Sequence, residues 1–241
     1  MAFDSLHGRE ALEGGGHRLA GPSRGAIERA VAAVTHVAAR PLTAIGALLT
    51  INLLLIGTFI LVGELVFADP AEMFRELMPG TWLSVAQLGA VAVIAWTIHR
   101  ELVGPRLRLD NFWGMSVAVF AVFAVDEATQ LTIFLGDAFT SAGALAPAGF
   151  RDLDAFLLTV LLFAGGAALL RYGRTLLSHP GSLVLLGIGI VIGGASQVLD
   201  SVLTSTTSEF VVEESLKLTA EPFLIGGYLL MLAATIRARR T

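Results

Sequence analysis

The stretch Glu209-Phe-Val-Val-Glu213-Glu214-Ser-Leu-Lys217-Leu-Thr-Ala-Glu221-Pro222 opens the last long apolar segment of the chain and decides how the rest is read. On a helix that advances about 100° per residue, Glu213, Glu214, Lys217 and Glu221 fall within one arc of about 100°. One face thus carries three acids and the only lysine of the chain. Lipid does not accept such a face, so it must point into a bundle, toward partners or a wet cavity, where ionisable groups mark a functional site by default. Pro222 adds a second irregularity. It has no N–H to give, so the Leu218 carbonyl four residues earlier loses its helical donor at the level of the acids.

The chain around this stretch is that of an integral membrane protein with one domain: 241 residues, 55% hydrophobic and 15% charged. There are no cysteines, which excludes disulfides, thiolate metal sites and iron–sulfur clusters. Nothing in the modest net charge of −4 points to nucleic acid. Residues 1–22 are polar and glycine-rich, without the apolar core of a secretory signal, and read as a mobile cytoplasmic arm. Over residues 23–41, Ile27, Val31, Val34 and Ala38 recur at helical spacing while the charges lie largely elsewhere. This predicts an amphipathic helix on the membrane surface, capped by Ser23 and ended by Pro41.

Residues 42–241 predict an all-α bundle of six transmembrane helices: Leu42–Phe67, Thr81–Ile98, Phe112–Leu135, Leu153–Leu170, Ser182–Thr204 and Phe210–Ile236. Each approaches or exceeds the ~20 residues needed to cross a bilayer. Arginines cluster before the first span, after the second (Arg100, Arg106, Arg108), after the fourth (Arg171, Arg174) and after the sixth (Arg237, Arg239, Arg240). The other side holds only Arg75 and Arg151, so both termini are expected in the cytoplasm. Asp69-Pro70-Ala-Glu72 predicts the start of a short outer surface helix, and Gly136 to Gly149 an outer loop, with Asp152 capping the fourth span. The Gly189-x-x-x-Gly193-Gly194 run is read as helix packing, because a phosphate loop would need a preceding strand and a following Lys-Ser/Thr.

Other spans carry polar groups at matching depth. Asp126, Glu127 and Gln130 share one arc of the third span, and Gln197 and Asp200 share one in the fifth with Ser201 and Thr204. Glu64 ends the first span; Ser84 and Gln87 occupy the outer half of the second. Glu221 lies eight residues inward from Glu213 and Asp126 eight inward from Phe134, about 12 Å at about 1.5 Å per residue, so the two can meet. Six acids, Asp126, Glu127, Asp200, Glu213, Glu214 and Glu221, then face Lys217, with Glu64 a seventh. Carboxylates in excess of cations in a dry interior take up protons, bind a cation or admit water.

Three functions follow. The first is a carboxylate site that binds or conducts a hard cation (Mg²⁺, Ca²⁺, Mn²⁺) or a proton, with Lys217 as internal counter-charge and Pro222 as a kink. The second is a non-catalytic membrane subunit, in which Lys217 pairs with Asp126 or Glu127 as a structural clasp and the chain assembles with copies of itself or a partner subunit. The third is an intramembrane hydrolase. The five histidines, His7, His17, His36, His99 and His179, all lie away from the acids, which argues against haem and removes the commonest general base. Neither Gly-x-Ser-x-Gly nor His-Glu-x-x-His occurs.

Val212-Glu213-Glu214-Ser-Leu-Lys217 resembles the Glu-Glu-x-x-Lys motif of PrsW-type intramembrane proteases over these six residues, which implies hydrolysis; those families add later glutamate and histidine motifs that this chain lacks. Asp126-Glu127 in the third span with Glu213-Glu214 in the last resembles six-span prokaryotic membrane proteins with paired acidic motifs. That resemblance implies a prokaryotic inner membrane. Thr132, Ile133 and Lys217 depart from the pattern, and an ammonium then stands where a relative would hold a ligand or cation.

Overall fold

A computed structural model of the chain describes residues 23–75, 77–145, 147, 153–202 and 206–239. The expected arm over 1–22 and the Asp152 cap lie outside the described residues. The helices are α1 Ser23–Val37, α2 Pro41–Val62, α3 Pro79–Leu102, α4 Phe112–Thr129, α5 Leu131–Ser141, α6 Leu153–Leu170, α7 Gly173–Leu177, α8 Pro180–Val202 and α9 Thr207–Ala238. Among the described residues there is no strand. Five helical stretches are long and apolar enough to cross a membrane: Pro41–Phe67, Glu72–Leu102, Phe112–Thr129, Pro180–Leu199 and Thr207–Ala238. The remaining expected span is α6, which contributes the shorter apolar stretch Ala155–Ala167. The molecule is an all-helical, multi-pass membrane protein.

Polarity sorts the helices. The apolar window of α9 is 67% buried, whereas those of α2 and α8 are 22% buried. The longest helix, with charges in its first half, takes the centre because lipid penalises them, and the most apolar helices surround it. α8 lies along α9 through small residues. A methyl added at Gly189 would stand 3.0 Å from the Ala220 carbonyl oxygen and 2.9 Å from Leu224 Cδ2, and one at Gly227 would stand 2.7 Å from Leu186. These glycines are there for close helix approach, as expected.

On the other side α9 packs on α3 and α4. Tyr228 is 1% exposed and sits among Phe112, Trp113 and Phe120. Val91, Ile94, Ala95 and Ile98 of α3 and Met231 and Leu232 of α9 continue this core toward the arginine-rich end. There His99 is buried, its ring stacked on Trp96 and its Nε2 accepting the Arg108 N–H at 3.3 Å.

Three local departures from the sequence pattern bear on the site. The third apolar run breaks at Gln130, which adopts a left-handed conformation (φ 53°), so that α4 stops at Thr129 and α5 begins at Leu131. α5 continues to Ser141, into the segment expected as loop. The first span ends in a π-helical turn, Gly63–Phe67, closed by left-handed Ala68. The wider turn leaves Glu64 exposed. After Asp69-Pro70 the chain makes only a single 3₁₀ turn, Glu72–Phe74, instead of a surface helix. Asp69 spends its side chain on that turn: Oδ1 accepts the Ala71 N–H at 2.9 Å and Oδ2 the Arg75 guanidinium at 2.8 Å. Arg75 and the Ala71 N–H together hold the Asp69 carboxyl below the usual carboxylate range.

Candidate functional site

α9 starts with a capping box. Thr206 Oγ1 accepts the Glu209 N–H at 3.3 Å, and Glu209 Oε2 accepts the Thr206 N–H at 2.8 Å. Glu209 therefore serves the helix end. About two turns further the ammonium of Lys217 donates to Glu214 Oε1 at 2.8 Å and to Glu127 Oε1 and Oε2 at 3.0 and 3.3 Å. Glu214 is one helical turn before Lys217 on α9, whereas Glu127 comes from α4, so a single cation ties the two helices together. Glu214 is 7% exposed and the Glu127 side chain 20%. Removing these groups from water is expensive, and a close pair with shared hydrogen bonds is the arrangement that offsets it.

A second network lies one turn deeper. Glu221, 4% exposed, accepts the hydroxyl of the fully buried Ser84 on Oε1. Its Oε2 stands 2.7 Å from Gln87 Oε1, the Gln87 amide nitrogen donates to Asn52 Oδ1 at 2.6 Å, and Asn52 Nδ2 donates to the Leu218 carbonyl at 2.9 Å. The Leu218 carbonyl is the acceptor that Pro222 leaves without its helical donor. Three helices thus join in one network: α2 through Asn52 on that carbonyl, α3 through Ser84 on Glu221 and Gln87 on Asn52, and α9 itself.

The shortest contact of the Leu218 carbonyl, Asn52 Nδ2 at 2.9 Å, sets a direction for this chain. A carbonyl only accepts, so Asn52 must present its nitrogen to Leu218 and its oxygen to Gln87; Gln87 must then present its nitrogen to Asn52 and its oxygen to Glu221. Two oxygens at 2.7 Å need a proton between them, and only the carboxyl can supply it. Turning the Gln87 amide over would suit a Glu221 carboxylate but would set Gln87 Oε1 against Asn52 Oδ1 at 2.6 Å. Turning both amides would set Asn52 Oδ1 against the Leu218 oxygen at 2.9 Å. Of these settings, the one that leaves no two oxygens within 3 Å without a hydrogen between them has a neutral Glu221 donating to Gln87, whose Oε1 then stands 3.3 Å from the Leu218 oxygen.

The expected cluster is therefore divided. Glu127, Glu214 and Lys217 form the ion pair; Glu221 and Gln87 join the deeper chain. Asp126 belongs to neither, because its Oδ1 accepts the Thr132 N–H at 2.9 Å and its Oδ2 the Thr132 hydroxyl at 3.1 Å, capping α5 across the Gln130 break. Neighbours on a helix point about 100° apart, so only one of Asp126 and Glu127 can reach α9. Gln130 is the left-handed cap residue between α4 and α5 rather than a site side chain. Glu64 is exposed at the π-helical turn. Glu213 and Gln197 are half-buried on α9 and α8, and Asp200 lies on α8 with its side chain outside the description. Asn52 was not anticipated. Its signal was there in retrospect: an amide between Ile51 and Leu53 in the most apolar span is as costly to bury as a hydroxyl or carboxyl.

Fold and site together define a multi-pass helical membrane protein whose central helix carries an interhelical ion pair above a buried, hydrogen-bonded carboxyl. Residues 30–232 match the family described as a domain of unknown function, DUF8692, and the chain belongs to that family. Comparisons with curated proteins and with solved structures found no match.

Proposed function

We propose that this protein binds and exchanges a proton at Glu221 within the membrane, and that the Lys217–Glu127–Glu214 ion pair is the counter-charge beside it. The single observation that carries the reading is the hydrogen-bond chain from Glu221 through Gln87 and Asn52 to the Leu218 carbonyl, whose closest contacts are best matched with a proton on the acid. Of the cations that excess carboxylates can take, the proton suits this donor set better than a divalent metal. Lys217 already occupies the space between Glu127 and Glu214, and among the described residues no three acidic or histidine side chains converge as ligands.

Glu221→Gln tests this. An amide at 221 can donate to Gln87 Oε1 and accept from Ser84, so unfolding free energy should change by less than about 1 kcal/mol. The infrared band of a protonated carboxyl should nevertheless vanish from pH-difference spectra of protein in nanodiscs, and proton flux into proteoliposomes should fall to that of empty vesicles. Persistence of both band and flux in Glu221→Gln defeats the proposal. The ion pair supports a second reading, a subunit held together by a clasp and assembled with a second copy or another membrane protein. In that case the wild type conducts nothing and its carboxyl band is the same at every pH.

The arginine asymmetry supports an orientation with both termini in the cytoplasm, in the prokaryotic inner membrane that the resemblance to six-span prokaryotic proteins implies. Ser178, between α7 and α8, then faces the cytoplasm and Ser141, at the end of α5, faces outward. An impermeant thiol reagent on intact cells should modify Ser141→Cys and spare Ser178→Cys; the reverse pattern inverts the topology.

A further inference from the structure

We propose that Asn52 is the residue that holds the proton on Glu221, acting through Gln87 from the carbonyl that Pro222 leaves open. The inference rests on the proton reading above and assigns its control to a group on a different helix. An amide side chain has a donor end and an acceptor end, so a row of amides has a polarity, and one immovable group at its end sets it. Here that group is the Leu218 carbonyl, because the residue four positions on is proline.

Asn52 is 2% exposed and Gln87 5%, so neither amide has water as an alternative partner. With Asn52 anchored on Leu218, Gln87 can present only its oxygen to Glu221, and a carboxylate there would face an acceptor at 2.7 Å. Release of the proton therefore requires both amides to turn over, which sets Asn52 Oδ1 against the Leu218 oxygen at 2.9 Å and leaves that carbonyl only the turned Gln87 nitrogen at 3.3 Å, or requires Asn52 to leave. Either way the ionisation of Glu221 is linked to the contact between α2 and α9.

The charged surroundings do not supply this control. Glu127 of α4 and Glu214 and Lys217 of α9 sum to one negative charge when ionised, and they are already paired with one another. α3 offers Ser84 and Gln87, neither of which titrates, and α2 offers Asn52. Among the described side chains of α8 none is ionisable. The group able to turn Gln87 is Asn52, and it is a positioning residue: it does not touch the carboxyl whose proton it holds.

The test follows the protonated-carboxyl band of the full-length protein in nanodiscs as pH rises. In Asn52→Leu the Gln87 amide is free to turn its nitrogen to a Glu221 carboxylate, a hydrogen bond to a charged group. The band should disappear at lower pH than in the wild type, with proton binding weakened about tenfold, or about one pH unit. Asn52→Ala serves if the larger side chain does not fold. In a Gln87→Met background, where nothing is left to turn, Asn52→Leu should add no shift. In the wild type itself, loss of the carboxyl band must be accompanied by changes in the side-chain amide carbonyl bands. A wild-type pH course in Asn52→Leu, an added shift in the Gln87→Met background, or carboxyl loss with silent amide bands overturns the role of Asn52 while leaving Glu221 as a proton site. A wild type with no protonated-carboxyl band at any pH overturns the proton reading and this inference with it.

Discussion

Lys217→Met lowers the unfolding free energy by about 3 kcal/mol, the low end of the range for removing one partner of a buried ion pair, because Glu214 is buried while the Lys217 side chain is 31% exposed. The size of the effect comes from what remains. Glu214 and Glu127, which hold the ammonium at 2.8 and 3.0 Å, would become two carboxylates side by side with no cation between them. Protonating one relieves the repulsion but leaves the other without its donor. Neutralising both, in Lys217→Met with Glu127→Gln and Glu214→Gln, should recover most of the loss, because the desolvated charges disappear together. Asp126→Asn in place of the two glutamine substitutions should recover nothing, since Asp126 serves Thr132 and not Lys217. Denaturant unfolding in one detergent measures all of these. A Lys217→Met protein as stable as wild type, or a rescue by Asp126→Asn, would show that the ion pair is not what joins α4 to α9.

Tyr228→Ala is expected to cost about 3–5 kcal/mol, as for other large aromatics removed from a packed interior. The ring stacks parallel to Phe112 at a centroid distance of 6.1 Å and meets Phe120 edge-on at 5.5 Å and Trp113 at 6.4 Å, so truncation removes one wall of the contact between α9 and α4. The hydroxyl is a smaller matter. It donates to Ser116 Oγ at 2.7 Å, and Ser116 in turn donates to the Phe112 carbonyl at 2.8 Å, so Tyr228→Phe forfeits one hydrogen bond of about 1 kcal/mol. Equal losses in the two variants would place the energy in the polar pair and not in the aromatic packing. Neither change touches the Glu221 chain, and the protonated-carboxyl band of Tyr228→Phe should match the wild type.

Much of this arrangement follows from the order of residues alone. Apolar length sets where the chain can cross a membrane, and that is a property of each segment by itself. The charged arc of Glu213, Glu214, Lys217 and Glu221 is equally local, because helical periodicity puts those side chains on one face whatever surrounds them. From that face follows the placing of α9 at the centre, since lipid is the one neighbour it cannot have. Pro222 likewise announces an open carbonyl at Leu218 without any tertiary contact.

What surrounds that face depended on how separate helices rotate about their own axes, which no local pattern encodes. That rotation brings Glu127 to Lys217 and turns Asp126 away toward Thr132. It also brings Asn52, the single amide of α2, onto the carbonyl that Pro222 exposes. The left-handed turn at Gln130 carries no glycine, and the π-helical turn after Val62 no proline, so neither break was marked in the chain. The partners of Glu221 belong to this second class: an acid in an apolar run can meet a base, a metal or hydrogen-bonding groups, and only the tertiary structure brings Ser84 and Gln87 of α3 and Asn52 of α2 to it and to the Leu218 carbonyl.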